Sequence, residues 1–360
     1  MRRVFALNRS AWGNMRRGTW ILVVGLLIAV PIVDAVLWRF AVGRLEVGYD
    51  AWIGRAKTAG WSVTRGKAVS GGWPWAATLE IRDLSIGGGG TSLTPGGIAL
   101  RVPNLTLRIP MLRPRSMDIE VFGEQRLRIG DIPEIVATGS RMSAVLDPVS
   151  DREAWALDVV AERPRLASVD GWDVSAAQAG FHLRMPASVG TGESQIGFSF
   201  NTGSVVLPIS VRSPLGRMIR QLSFDGTLGG PLPALQPPAP WATAWRDGGG
   251  SLQIQNLAVI WGPLTLAGAA TLALDDQLQP MGAGTSRVTG YAATLDALAE
   301  SGALSRSAAT AAKAVLSLLA GGGDDGDAPD VDVPLTLQYR TLSMRQVPLL
   351  RLPEVDWPEQ

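Results

Sequence analysis

Cysteine is absent from the 360 residues, and histidine occurs once. The first absence excludes disulfide frameworks, thiolate metal sites and thiol nucleophiles. It leaves an oxidising compartment open, because proteins there need not carry disulfides. The second leaves no two-histidine cluster for metal or base chemistry. An excess of one charge is also missing: 33 Lys and Arg stand against 32 Asp and Glu, a formal net charge of +1. No net field therefore captures nucleic acid across the whole surface. Tyrosine is scarce, at 3 against 13 Trp, which leans towards packed rather than wet tryptophans. What is plentiful is glycine (42) and proline (24), a composition that favours short strands joined by many turns. The length suffices for one large domain or two ordinary ones.

Long apolar runs are confined to one place. Arg2, Arg3, Arg9, Arg16 and Arg17 precede W-I-L-V-V-G-L-L-I-A-V-P-I-V-D-A-V-L-W, residues 20–38. At about 1.5 Å per residue this run covers roughly 28 Å, close to the hydrocarbon thickness of a bilayer. It reads as a transmembrane helix with a tryptophan at each interface and a basic cytoplasmic N-terminus at 1–19. Asp34 lies about one turn from the outer end, where a carboxylate reaches water at modest cost. The competing reading is a cleavable signal peptide, with Val33-Asp34-Ala35 as a crude cleavage site; Arg2-Arg3 hints weakly at a twin-arginine signal. All of these export the remaining chain, and the anchored reading places it at an inner membrane with the bulk of the chain periplasmic.

Residues 39–60 predict a juxtamembrane helix with Leu45, Tyr49, Trp52, Ile53 and Ala56 on one face and Gly60 as C-cap. From Trp61 onward, apolar residues recur with period 2, as in Leu79/Ile81, Leu105/Leu107/Ile109, Met117/Ile119/Val121, Leu257/Val259 and Val331/Val333/Leu335/Leu337/Tyr339. Such alternation predicts antiparallel sheet. The phase flips at Pro103 and between Ile254 and Leu257, which predicts bulges that curl the sheet. The expected class is mainly β with minor α, a curved antiparallel sheet of groove or half-barrel type behind the membrane helix. A first β-rich region spans 61–228, a Pro/Gly-rich connection 229–250, and a second β-rich region 251–360. The last contains helices at 294–320, broken near Gly302, and an acidic loop at 321–330. Trp73-Pro74 before A-T-L-E-I-R-D (77–83) is echoed by Trp261-Gly262-Pro263 before A-T-L-A-L-D-D (270–276), as two copies of one hairpin would be.

Signals for chemistry are weak. His182, in F-H-L-R-M-P, falls on the face opposite Phe181 and Leu183 and lacks H-E-x-x-H or G-x-S-x-G company. Gly321-Gly322-Gly323-Asp324-Asp325-Gly326 matches G-x-G-x-x-G but follows an alanine-rich helix, and its aspartates repel a pyrophosphate. Aspartates 324, 325, 327, 330 and 332 lack the spacing and bidentate glutamate of a Ca²⁺ loop. Glu120, Glu124 and Asp131 could serve glycosidase-like chemistry only at a set separation. No catalytic residue, metal or cofactor is expected.

The stretch S-G-G-W-P-W-A-A-T-L-E-I-R (70–82) sets a proline between two tryptophans just before a strand begins, fixing both rings in direction. They either seal the core against Trp61 and the helix, or line a groove mouth or the membrane interface.

The runs L-W-R-F-A-V-G-R-L-E-V-G-Y-D-A-W (37–52), A-G-W-S-V (59–63) and G-G-W-P-W-A-A-T-L (71–79) resemble the opening of the bacterial envelope family known as domain of unknown function 2125. The stretches at 250–274 and 333–349 are similar to it as well. The strand grammar is more loosely like that of AsmA-type envelope proteins, which implies a role in phospholipid traffic by analogy of fold. The resulting expectation is a non-catalytic anchored protein whose curved face binds or shields phospholipid or another hydrophobic ligand. Trp73, Trp75, Trp261, Leu264 and Leu266 are the candidate groove residues. The alternative is an envelope scaffold that binds a protein partner through sheet edges or the Pro-rich connection; a third is an envelope hydrolase.

Overall fold

The computed structural model describes residues 10–58, 60–88, 97–130, 132–149, 154–185, 195–231, 238–319, 330–344, 347–355 and 357. Its first element is a single helix, α1 (Ser10–Thr58), with Pro31 inside it. The apolar run and the helix expected after it are thus one continuous rod about 74 Å long. Pro31 costs one backbone hydrogen bond without ending the helix. Gly60 closes it at φ 84°, its N–H donating to Lys57 O at 3.0 Å, the expected cap.

Everything that follows is antiparallel. Twenty strands form one sheet, stacked as fifteen rungs because ten of them are joined end to end in five split rungs. The edge rung is β1 (Trp61–Thr64) with β2 (Ala68–Gly71), both paired to β3 (Ala76–Gly88). β4 (Ile98–Pro110) follows, then three split rungs: β5 (Met117–Phe122) with β6 (Gln125–Ile129), β7 (Ile135–Thr138) with β8 (Arg141–Val149), and β9 (Ala154–Glu162) with β10 (Arg165–Ser168). The last split rung is β11 (Asp173–Ser175) with β12 (Gln178–Met185). Unbroken rungs continue as β13 (Gln195–Val206), β14 (Met218–Gly229), β15 (Ser251–Trp261), β16 (Leu264–Leu274), β17 (Pro280–Thr289), β18 (Val331–Gln338), β19 (Thr341–Met344) and β20 (Val347–Arg351). At about 4.8 Å per rung the stack runs about 65 Å, and a 13-residue strand spans about 40 Å. The sheet is curved and does not close into a barrel.

The splits are aligned. Asp83 (φ 51°) lies opposite Pro103; Gly123 (φ 88°) sits against Pro103; then come Gly139–Ser140, Arg163 (φ 48°), Ala176–Ala177, Ser204 (φ 54°) and the bulged Arg220. Each lies level with its neighbour across the ladder, so a single crease crosses nine rungs. Backbone hydrogen bonds stitch it: Gly66 N–H to Arg82 O (2.8 Å), Ser140 N–H to Glu162 O (2.9 Å), Arg163 N–H to Ala177 O (2.9 Å) and Ala177 N–H to Gly203 O (3.1 Å). The left-handed residues, the interrupted pair at Pro103 and the register shift at Arg220 each turn a strand locally, and a row of them bends the sheet along that line. Both expected phase flips are real: Pro103 lies on the crease, and β15 slips register between Ile254 and Leu257.

Helices cover the two ends. Val42, Leu45 and Tyr49 of α1 are buried against Val63, Leu79, Ile81, Leu84, Val102 and Leu107, each large aliphatic contributing about 1.5–3 kcal/mol. At the far end α3 (Tyr291–Glu300) and α4 (Arg306–Leu319) bury Tyr291, Val331 and Val333. The expected helical stretch at 294–320 is these two, broken at 301–305 as Gly302 (φ 77°) requires.

Three expectations change. Within the Pro/Gly-rich connection, residues 238–247 form helix α2 (Pro238–Asp247), where Trp241 and Trp245 stack at 6.0 Å and Trp245 Nε1 donates to Gly229 O. Pro238 and Pro240 fall in its first turn, where missing N–H donors cost nothing. The connection does not separate one sheet from another, since β14 pairs directly with β15. The two echoed motifs are not equivalent hairpins either: Ala77-Thr78-Leu79 opens β3, whereas Ala270-Thr271-Leu272 ends β16. Short apolar–polar alternation recurs without common structure. Tyr339, expected to close the last strand, lies in a turn at φ 49° and is exposed. The acidic loop falls almost wholly outside the described residues; Asp330, at its end, accepts a hydrogen bond from Thr289 Oγ1 at 2.7 Å.

Candidate functional site

Register fixes which side chains share a face. Directly paired positions run from Leu79 through Leu107, Ile119, Ala144, Val159, Phe181, Phe200, Phe224, Leu257, Gly268 and Ser286 to Val333, crossing twelve rungs at one level. This inner line contains no titratable group. One residue along each strand, the outer line reads Glu80, Thr106, Glu120, Ser143, Val160, Gly180, Asn201, Ser223, Ala258, Ala267, Arg287 and Asp332. A period-2 strand with one apolar face gives this contrast.

Burial of the inner face is uneven. α1 packs on β1 and β3, while α2, α3 and α4 pack on β16 and β18. Among the described residues, neither buried cluster contains a side chain from a strand between β6 and β16. There Val159, Phe181, Leu183, Phe198, Phe200, Phe224 and Leu257 remain only half-buried. Phe224 stacks on Phe200 at 5.5 Å and meets Phe198 edge-on at 5.9 Å. Gly226 makes room for this cluster, because a Cβ there would stand 2.6 Å from Phe198 Cζ. The result is an apolar lane, creased along its length and roofed by helices at its two ends.

The candidate groove residues divide between two places. Leu264 and Leu266 lie half-buried on the inner face of β16, beside Trp261, whose Nε1 donates to Gly216 O at 2.9 Å. Trp73 and Trp75 are elsewhere, in the turn between β2 and β3, 53% and 79% exposed. They do not seal the core; Trp38 ties the helix there instead, its Nε1 donating to Gly71 O at 3.1 Å. Sequence reasoning passed over the central phenylalanines. Their signal was present in G-F-S-F-N and S-F-D, where each Phe alternates with a polar residue.

The outer face carries the charges. His182 Nδ1 is hydrogen-bonded to Asp158 across β9 and β12, both partly exposed. Glu120 pairs with Arg141 at 3.6 Å and Glu124 with Arg126 at 3.7 Å; Asp131 lies outside the described residues. Arg287 grips Asp332 with Nε–Oδ1 at 2.9 Å and Nη2–Oδ2 at 3.2 Å. These hydrogen bonds hold the Asp332 carboxyl below the usual carboxylate range and raise the guanidinium. Among the described residues no three His, Asp or Glu side chains group as metal ligands.

The model of a bacterial family described as an uncharacterized conserved protein, DUF2125, matches residues 38–353. The chain belongs to that family. The DUF2125 match begins at Trp38, where α1 meets the sheet, and runs past the last rung. The family unit is therefore the sheet together with the half of α1 that packs on it. No curated protein matches the chain, and no solved structure does; the likeness to AsmA-type proteins rests on strand grammar alone.

Proposed function

We propose that this protein is a non-catalytic, membrane-anchored envelope protein whose creased sheet binds or shields a phospholipid or a similar acyl-chain ligand in its apolar lane. The observation that carries this reading is the half-buried inner face between β6 and β16. Apolar side chains left there outside any buried cluster match an acyl chain in chemistry. Helix α1 is long and apolar enough to cross a membrane; with five arginines before the apolar run, it supports an anchor with the sheet on the periplasmic side. The outer ladder of charged and polar residues suits a solvated back.

The test compares neighbours on one strand. A photoreactive amino acid at Phe200 faces the lane, and one at Ser199 faces away. In membranes holding the full chain, irradiation is expected to couple phospholipid at position 200 and not at 199. Equal labelling of both positions, or capture of one protein at 200 and no lipid, sinks the reading; the second outcome favours the scaffold.

A further inference from the structure

The turn that holds Trp73 and Trp75 has an address relative to α1. Three contacts run in order along the helix: Trp38 bonds Gly71, Asp50 pairs with Arg65 at 2.8 Å, and Thr58 leads within three residues into Trp61. The edge rung and residues 38–58 of the helix therefore lie side by side and antiparallel. From 38 to 58 the helix rises about 30 Å, and from 61 to 71 an extended chain covers about 33 Å, so the two match. Beyond Gly71 the chain continues towards the N-terminal, membrane-spanning part of α1. That continuation is Gly72-Trp73-Pro74-Trp75.

A second turn joins it. Met111 N–H donates to Trp75 O at 3.1 Å, which brings the turn after β4 beside the first. Leu112, at its tip, is 95% exposed, the most exposed large apolar residue among those described. Arg113 and Arg115 follow it and are exposed, and Arg39 and Arg44 are exposed on the adjoining helix turns. Soluble surfaces seldom group two bare tryptophans and a bare leucine. Aromatics at an interface with nearby cations are what a headgroup layer accepts.

We infer that Trp73, Trp75 and Leu112 form a docking tip that enters the headgroup layer of the membrane α1 spans, with Arg39, Arg44, Arg113 and Arg115 meeting lipid phosphates. The tip fixes the tilt of the sheet over the bilayer, so that the rungs stand along α1. This inference rests on the anchoring reading of α1 and adds a second contact to it.

The absence of native cysteine allows a direct test. Full-length Leu112→Cys, Trp75→Cys, Leu27→Cys and Ile209→Cys variants are labelled with an environment-sensitive fluorophore and reconstituted into phosphatidylethanolamine–phosphatidylglycerol vesicles containing brominated lipid. Leu27 lies in the span, and Ile209 is exposed at the opposite end of a rung. Quenching is expected at 27, 112 and 75, and none at 209. Quenching at 27 alone overturns the tip and leaves the anchor; no quenching at 27 overturns the anchor and the tip with it. Quenching at all four positions overturns the tip in favour of general adsorption.

Discussion

At the scale of single residues, two positions make sharp tests of the physical account. Tyr49 is buried under Arg65, whose guanidinium lies 4.9 Å from the ring centroid, and stacks on Trp52 at 6.0 Å. Among the described residues its hydroxyl has no hydrogen-bond partner. Removing such a hydroxyl while keeping the ring spares a desolvation cost, so Tyr49→Phe is expected to melt at or above the wild-type temperature. Burial pushes the Tyr49 phenol above its ordinary 10.0, opposed by Arg65 and aided by Asp50. The folded state thus favours the protonated form. Its contribution is full below pH 10 and is lost as pH rises through the folded value. Wild type should accordingly lose stability more steeply than Tyr49→Phe above pH 10, measured by thermal melts across that range. Gly123 is the second position. At φ 88°, with an added Cβ 3.3 Å from Pro103 Cβ and Cγ, Gly123→Ala is expected to cost about 1–3 kcal/mol, read from denaturant midpoints.

At the scale of elements, α1 depends on few side chains. Leu45→Ala removes a residue only 5% exposed and is expected to cost about 2–5 kcal/mol. It should also speed hydrogen exchange in residues 40–58 more than in β14–β16, which α1 does not touch. How much of this was legible in the sequence depends on the element. The rod of α1, its cap at Gly60 and the inward face of Leu45 and Tyr49 follow from a 3.6 period and a glycine stop. The strands at 98–109 and 331–338 follow from alternation, and Pro103 marked by its break in phase where the strand turns. Three things were hidden. α2 was masked by proline counts, because a proline in a first turn looks like a breaker until its position is known. The exposure of Trp73 and Trp75 depends on tertiary context, since the same aromatics would serve a sealed core equally well. The crease depends on irregularities as unlike as Asp83, Gly139 and Arg163 falling level across the ladder, and register is not written in any one strand.

At the scale of the whole molecule, the groove reading makes a thermodynamic demand. A ligand that binds only the folded chain stabilises it by mass action. Protein stripped of lipid should melt below protein purified with it, and restoring phospholipid should recover the difference. Phe200→Lys, which sets a cation in the half-buried lane, should erase that difference while leaving the stripped protein folded, as differential scanning calorimetry would read. The candidate groove was partly legible: Leu264 and Leu266 lie on the inner face, but its centre is Phe181, Phe198, Phe200 and Phe224, in a region where the sequence offered alternation and little else. Because each rung bonds only to the rungs beside it, a hairpin can be gained or lost without rebuilding a shared core. Chain length in such an architecture sets how far the trough extends, as links set the length of a chain, while α1 closes one end and α3 with α4 the other.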